Sequence, residues 1–516
     1  MKLGIFFGLA ALLLCCQSES ANHKAEVELP NIIYILADDL GYGDVGAYGQ
    51  QKIETPNIDA LAASGMKFTQ HYAGSPVCAP SRCVLLTGRH TGNAYIRGNG
   101  EWKERGEVWD FIAMLEDSTL EGQRPLPKET PTIPKLLKQV EYATGMIGKW
   151  GLGAPHTESI PTAMGFDYFY GYNCQRQAHT YYPVHLYENE QRVYLPNDTV
   201  PPGTKLADDA DPYNQASYVD YTLADYSPDL MFEKLTAFVN EHTDEPFFLY
   251  WATPIPHVPL QAPQRWVDYY VKKFGEEDPY LADRGYFPHR YPHAAYAAMV
   301  SYLDEQVGQL VSQLKELGEY ENTLIIFTSD NGSSFNGGTD SPWFDSGGPF
   351  PSEQGRGKGT VYEGGIRIPM IASWPDKIAA GSTTDHVSAF YDLMPTLAEV
   401  AGVENLPATD GISFLPTLLS QTEQLKHEFM YWEFPQYTGQ VAVRLDDWKF
   451  IQRRLSEGEP TLELYNLAED LTENNNVADE HPEVVQRAQS IANQAHTTPE
   501  LEAFIIPTLE AGLTTN

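Results

Sequence analysis

The chain has 516 residues, 42% of them hydrophobic and 12% aromatic, which is enough for a large buried core and more than one domain and excludes a disordered polymer. Its 70 acidic and 34 basic residues give a formal charge of −36, which excludes general nucleic-acid binding and disfavours non-specific attachment to anionic membranes or polymers. Any anionic substrate has to meet a local basic pocket inside a repelling surface.

Residues 1–21 read as an export signal. Lys2 forms the basic head, and Leu3 to Leu14 form an apolar core too short to span a bilayer. Cys15-Cys16 follows, then polar Gln17 to Ser20. Two outcomes stand side by side: cleavage after Ser20 or Ala21, or a lipid anchor on Cys16. The chain is therefore expected to be exported, as a periplasmic, secreted or outer-membrane-anchored protein, touching membrane only through such an anchor. Beyond this segment only Cys78, Cys83 and Cys174 remain, too few and too odd for a disulfide framework. A Cys83–Cys174 bond that leaves Cys78 apart stays open, and a free cysteine in an exported protein asks for a chemical reason.

Five apolar runs are bordered by polar groups. Ile32–Leu36 ends in Asp38-Asp39, Ala143–Ile147 in Lys149, and Leu324–Phe327 in Asp330-Asn331. Phe247–Trp251 runs towards His257, and Ile368–Ala372 follows Lys358 and Arg367. Runs of this kind suit strands buried on both faces, as in a parallel sheet. Helical patterns separate them, after Thr55-Pro56-Asn57, after Ser227-Pro228-Asp229, and from Val300 to Leu317. The segment from about Ala154 to Ser227 has no long period and reads as an excursion over the sheet, and 333–357 reads as a Gly- and Ser-rich loop. After about Leu419, short strands at Val441–Arg444, Trp448–Ile451 and Leu462–Tyr465 precede a helix at Val484–Ala495. The predicted fold class is α/β: a mostly parallel central sheet flanked by helices over 27–419, with a smaller C-terminal α+β domain over 420–516.

In such folds ligands bind beyond the carboxyl ends of the strands, where most of the polar clusters fall. Asp38, Asp39, Asp330 and Asn331 offer hard oxygen donors suited to Ca²⁺ or Mg²⁺, and no Cys/His cluster has zinc spacing. Cys78-Ala79-Pro80-Ser81-Arg82 reads as a helix start, with Pro80 at its first position, where Cys78 meets free N–H groups and Arg82 follows one turn on. Lys149, His257 and Lys358 each read alone as packing or surface residues. Together with Arg82 and a metal they describe a clamp for a tetrahedral oxyanion, sulfate or phosphate.

The order and content of these motifs resemble the formylglycine-dependent sulfatases of the alkaline-phosphatase-like superfamily. The resemblance rests on Asp38 through Asp44, Thr55 through Asp59, Cys78-Ala79-Pro80-Ser81-Arg82, Leu86 through Arg89, Gly148-Lys149-Trp150, Ser329 through Gly332, and Lys358 with Tyr362 through Arg367. It covers about residues 30 to 400 and continues weakly through Arg444, Trp448-Lys449 and Glu463 to Leu467. It implies that a maturation enzyme oxidises Cys78 to formylglycine, whose hydrate attacks sulfur. It further implies that Asp38, Asp39, Asp330, Asn331 and residue 78 hold one Ca²⁺, that Arg82 and Lys149 stabilise the hydrate, and that Lys358 and His257 hold the sulfate, with His257 as acid for the leaving oxygen. Many relatives carry histidine two residues after the lysine, where this chain has Gly151. His179 is the candidate replacement, with Gln175 as a polar alternative and His156 as the rival. His90, Arg97, Trp432 and Arg444 are candidate substrate-pocket residues. The implied substrate is a sulfated polysaccharide or oligosaccharide. A phosphate or phosphonate ester hydrolase on the same fold and a non-catalytic sulfated-glycan-binding protein are the alternatives.

Overall fold

The computed structural model describes residues 1, 29–458 and 460–513. Apart from Met1, the export signal, the Cys15-Cys16 alternatives and the expected domain start at residue 27 lie outside the described residues.

One sheet has eleven strands: β1 (Asn31–Ala37), β2 (Met66–Tyr72), β3 (Ala143–Lys149), β4 (Tyr168–Tyr172), β5 (His185–Glu188), β6 (Gln191–Tyr194), β7 (Phe247–Ala252), β8 (Thr323–Ser329), β9 (Arg367–Ser373), β10 (Ser382–Thr384) and β11 (Ser388–Ala389). Their order is β10-β2-β9-β8-β1-β7-β3-β4-β5-β6, with β11 beside β2. The central strands β8, β1, β7, β3 and β4 are parallel. Every residue of β1, β3, β7 and β8 is buried, which is why they read as unbroken apolar runs. Alternate side chains feed two cores: Ile32, Tyr34 and Leu36 of β1 point to one face, Ile33, Ile35 and Ala37 to the other. The first face is covered by helices that include Cys78–Thr87 and Leu393–Val400, the second by Pro56–Ser64, Ser227–Glu241, Gln264–Phe274 and the 26-residue Pro292–Leu317.

Three features depart from the sequence reading. Strand β9 runs antiparallel to both β2 and β8, since full burial carries no information on direction. The reversal puts the start of β9 at the edge where the parallel strands end, so the preceding loop delivers Lys358 there. The excursion after Ala154 also extends the sheet: β4 pairs with β3, and β5 and β6 continue it as an antiparallel hairpin. Finally, Cys78, Cys83 and Cys174 are all buried and unpaired, so the Cys83–Cys174 bond is absent.

The C-terminal sheet is an antiparallel meander of β12 (Met430–Phe434), β13 (Gln440–Leu445), β14 (Trp448–Arg453) and β15 (Thr461–Asn466), with the Pro482–Ala495 helix on one face. On the other face Trp432, Phe434, Ala442 and Ile451 join the same core as β1. Among the described residues no helix is long and apolar enough to cross a membrane.

Candidate active site

Strand ends assemble the site. β1 delivers Asp38 and Asp39, β8 delivers Asp330 and Asn331, β3 ends on Lys149, and the loop after β7 carries His257. The Cys78–Thr87 helix supplies Cys78 at its first position and Arg82 one turn later. It begins two residues earlier than Pro80 predicts. The proline still lies in the first turn, where its missing N–H is not needed. The helix start is tied down on both sides: Asn99 Oδ1 accepts from Ala79 N at 2.9 Å, and Pro76 O accepts from Gly359 N at 2.9 Å.

At the centre, Asp38, Asp39, Asp330 and Arg82 are 0–2% exposed. Arg82 binds Asp330 Oδ2 through Nε (3.1 Å) and Nη2 (2.8 Å), and Nη2 lies 3.3 Å from Asp38 Oδ2. Its Nη1 donates to the Lys149 carbonyl, which fixes the end of β3. Lys149 Nζ donates to Asp38 Oδ2, and Lys358 Nζ lies 2.6 and 2.8 Å from the two oxygens of Asp39. Cys78 Sγ sits between them, donating to Asp38 Oδ1 at 3.4 Å and accepting from Lys358 Nζ at 3.5 Å.

The electrostatics follow from burial of many charges in one place. Burial opposes ionisation of Asp38, but Lys149, His257, Arg82 and Lys358 outweigh it and hold this carboxyl far below the usual range. Asp330 is pushed up to about 6 by burial and by Asp38, against Arg82, and Asp39 is raised by burial and by Asp38, against Lys358. The Cys78 thiol is pushed up by burial and by Asp38. It stays protonated and is a poor nucleophile as it stands.

The donors fit a hard divalent cation. Ligand atoms of Asp38, Asp39, Cys78 and His257 lie within 4.8 Å of one another. Asn331 donates to Asp39 Oδ1 at 2.8 Å, while its own Oδ1 is buried without a partner. An orphaned amide oxygen beside raised carboxylates is what a cation-binding pocket leaves when only its protein atoms are considered. The soft Cys78 sulfur is the one atom that does not suit such an ion.

The Sulfatase family profile matches residues 30–403. The chain belongs to the sulfatase family. A second profile, N-sulphoglucosamine sulphohydrolase, C-terminal, matches 356–498. Arylsulfatase A of Homo sapiens is 32% identical over 502 residues, covering 90% of this chain and 87% of its own length. N-acetylgalactosamine-6-sulfatase of Rattus norvegicus is 31% identical over 412 residues, which cover 76% of this chain but only 66% of that relative. The crystal structure of Ps i-CgsB in complex with k-i-k-neocarrahexaose shares the fold with a TM-score of 0.70 at 27% identity, over 95% of this chain and 97% of that one.

Position 151, where the resemblance leads one to expect histidine, is glycine in this chain. Its φ is +77°, and a Cβ there would stand 2.6 Å from Cγ and Nε2 of Gln175. Gln175 therefore fills the space, with its Nε2 buried and unpartnered. His179, on the same short helical turn (Gln175–His179), stacks on His257 with ring centroids 5.6 Å apart and planes at 5°. Burial, then His257 and Lys149, hold the His179 ring well below its usual value, so it is neutral and its basicity is weakened until a nearby negative charge offsets these effects. The rival His156 is exposed and hydrogen-bonded to Ser118. Restoring histidine alone should fail: Gly151→His is expected to lose about 1–3 kcal/mol, from the clash and the positive φ. Gly151→His with Gln175→Gly should recover part of that loss, as read by chemical denaturation.

Of the substrate-pocket expectations, those for Trp432, Arg97 and His90 are corrected. Trp432 is fully buried and donates Nε1 to Ala73 O at 2.9 Å, making it part of the core between the sheets. Arg97 is 2% exposed, and its donors go to Glu433, Thr497 and Ala94 O, so it is a cross-link to β12. His90 packs against Tyr391 and Tyr431, and its backbone N–H binds Asp410. Arg444 bonds Tyr72, Gln70 and Asp446 O, and lines a separate cavity with His386 and His427. Sequence reasoning missed Tyr286, whose ring lies 5.2 Å from His179 and 5.8 Å from His257. It also missed Tyr181, whose hydroxyl binds the carbonyls of Pro254 and His257 and holds that loop. Both sit in stretches without period or motif, so no sequence signal marks them.

Proposed function

We propose that this sulfatase releases inorganic sulfate from a sulfated polysaccharide or oligosaccharide. In this reading Cys78 is converted to formylglycine by a maturation enzyme, and Asp38, Asp39, Asp330 and Asn331 hold one Ca²⁺. The catalytic domain extends to about residue 419, with the C-terminal subdomain packed on it. The observation that carries the reading is the buried pocket in which residue 78 faces three carboxylates, Arg82, Lys149 and Lys358. When present, the metal supplies Lewis-acid charge and the formylglycine supplies an oxygen nucleophile in place of a soft, protonated thiol.

The remaining roles belong to side chains. Arg82 and Lys149 orient Asp38 and Asp330, keep Asp38 ionised and oppose the upward shift of Asp330, and they place positive charge beside residue 78. Lys358 reaches both Asp39 and residue 78, so its ammonium can meet a non-bridging oxygen of the ester as charge builds there. His257 Nδ1 contacts Val258 O, which directs Nε2 towards the cluster at 3.7 Å from Asp39. Burial, then Lys358 and Lys149, hold the His257 ring well below its usual value; a bound anion offsets the two lysine charges and so favours the protonated form needed to give a proton to the leaving oxygen. His179, stacked on His257, is the proposed candidate for the base role.

The clamp would also accept phosphate. Matched sulfate and phosphate monoesters of one alcohol separate the readings: kcat/KM is expected to favour the sulfate by at least about 100-fold, equivalent to ~2.7 kcal/mol. A phosphate preference would favour an esterase acting on phosphorus. Absence of turnover on a broad sulfated-glycan panel, by protein with the modification verified, would favour the binding role.

A further inference from the structure

One cavity next to the site has no part in the chemistry above. It measures about 180 Å³ and begins at Ala79, the residue after Cys78. That volume suits a single sugar ring rather than a polymer. Its polar wall includes Asn99, Glu101, Gln123, Lys103 and Arg124, the last ion-paired with Glu104, and Trp109 and Gln436 close it. Asn99, Glu101 and Gln123 are fixed from behind. Asn99 binds Ala79 N and exchanges two hydrogen bonds with Gln436, of 2.8 and 2.7 Å. Gln123 donates to Glu101 Oε1 at 2.7 Å and accepts from Gln175 N at 3.1 Å, which links the cavity to the residue that fills the space at Gly151. Glu101 Oε2 has only a long contact, 3.6 Å, from Cys174 Sγ.

Two aromatic rings are left uncovered by the fold, Trp109 in the cavity wall and Tyr437 next in sequence to the wall residue Gln436. Trp109 is 66% exposed, although Arg176 holds it with the guanidinium 5.3 Å from the ring centroid. Tyr437 is 69% exposed at the tip of the β12–β13 hairpin, beside Gln436. It lies on Gly359, where a Cβ would stand 2.7 Å from the tyrosine ring, so the residue after Lys358 is glycine and the ring rests directly on the active-site loop. Tyr437 and Thr438 both adopt positive φ, +49° and +73°. The hairpin accepts unfavourable backbone geometry while presenting an aromatic to solvent. Amide and carboxyl groups inside a small cavity, with flat aromatic faces at its edges, match the hydroxyls and apolar faces of a pyranose.

We propose that this cavity holds a sugar ring of the leaving glycan, with Glu101, Asn99 and Gln123 bonding its hydroxyls and Trp109 and Tyr437 stacking on it and on its neighbour. The proposal rests on the sulfate-ester reading of the adjacent site and adds the specificity element to it. Burial pushes Glu101 up to about 7, so its carboxyl can donate to or accept from a ring hydroxyl.

The test compares two substrates in the full-length, modification-verified protein: nitrophenyl sulfate, and an array of sulfated galactan and glycosaminoglycan tetrasaccharides. For the best tetrasaccharide, the ratio of its kcat/KM to that of nitrophenyl sulfate is expected to fall about tenfold or more in Trp109→Ala and in Glu101→Gln. Trp109 is exposed, so its loss is not expected to disturb folding. A ratio within roughly twofold of wild type in both variants overturns the proposal while leaving the sulfatase reading intact. If no substrate releases sulfate, that reading falls, and calorimetric titration of the same tetrasaccharides decides the cavity's role. Binding weakened about tenfold in Trp109→Ala supports the proposal. Undiminished binding in that variant, or no binding by the wild type, overturns it.

Discussion

Cys78→Ala is expected to lower sulfate release by on the order of 10⁴-fold or more, because the proposed nucleophile is removed. Stability should change little, by about 1 kcal/mol, since one small buried side chain is truncated and a weak sulfur contact is lost. Cys78 makes two such contacts, to Asp38 at 3.4 Å and to Lys358 at 3.5 Å, and neither carries the fold. Denaturant unfolding of the variant beside its activity separates a reactive residue from a structural one. Global unfolding would mean that Cys78 is a packing residue and that the nucleophile lies elsewhere.

Arg82→Ala is expected to give the largest stability effect. The guanidinium is fully buried and pairs with Asp330 and Asp38 at once. Truncation leaves two buried carboxylates facing each other with one counter-ion fewer, a loss of about 3–5 kcal/mol. The divalent cation proposed for this site would bind the same carboxylates and compensate in part. The deficit in thermal unfolding should therefore be larger in chelator than in excess Ca²⁺. An Arg82→Ala protein as stable as wild type in both conditions would show that Arg82 is not the counter-ion that makes this cluster tolerable.

Much of the site was legible because its residues end buried strands. Asp38-Asp39, Lys149 and Asp330-Asn331 close apolar runs that correspond to β1, β3 and β8 of the parallel core, so their convergence follows from the fold class. Lys358 reaches the same edge by a different route, since β9 runs antiparallel and its N-terminal end lies there. Direction is set by pairing partners far away in sequence. His90, Arg97 and Trp432 fail as substrate residues for a related reason: their side chains are taken up by partners more than 300 positions away, including Tyr431, Glu433 and Ala73. The four- and five-residue strands β4, β5, β6 and β12 escaped because they are too short and too rich in tyrosine and charge for a period to register. Gly151 shows the opposite limit. Its departure from the motif was visible at once, but the reason, Gln175 filling the space, needed coordinates.

The central claim is that residue 78 acts only after conversion to formylglycine. Its most direct test is mass spectrometry of the peptide containing Cys78, on preparations made with graded amounts of a maturation enzyme, each assayed for sulfate release. Activity should rise in proportion to the aldehyde fraction at position 78 and extrapolate to zero when every molecule carries the thiol. Full turnover by protein whose Cys78 is an unmodified thiol would contradict the account.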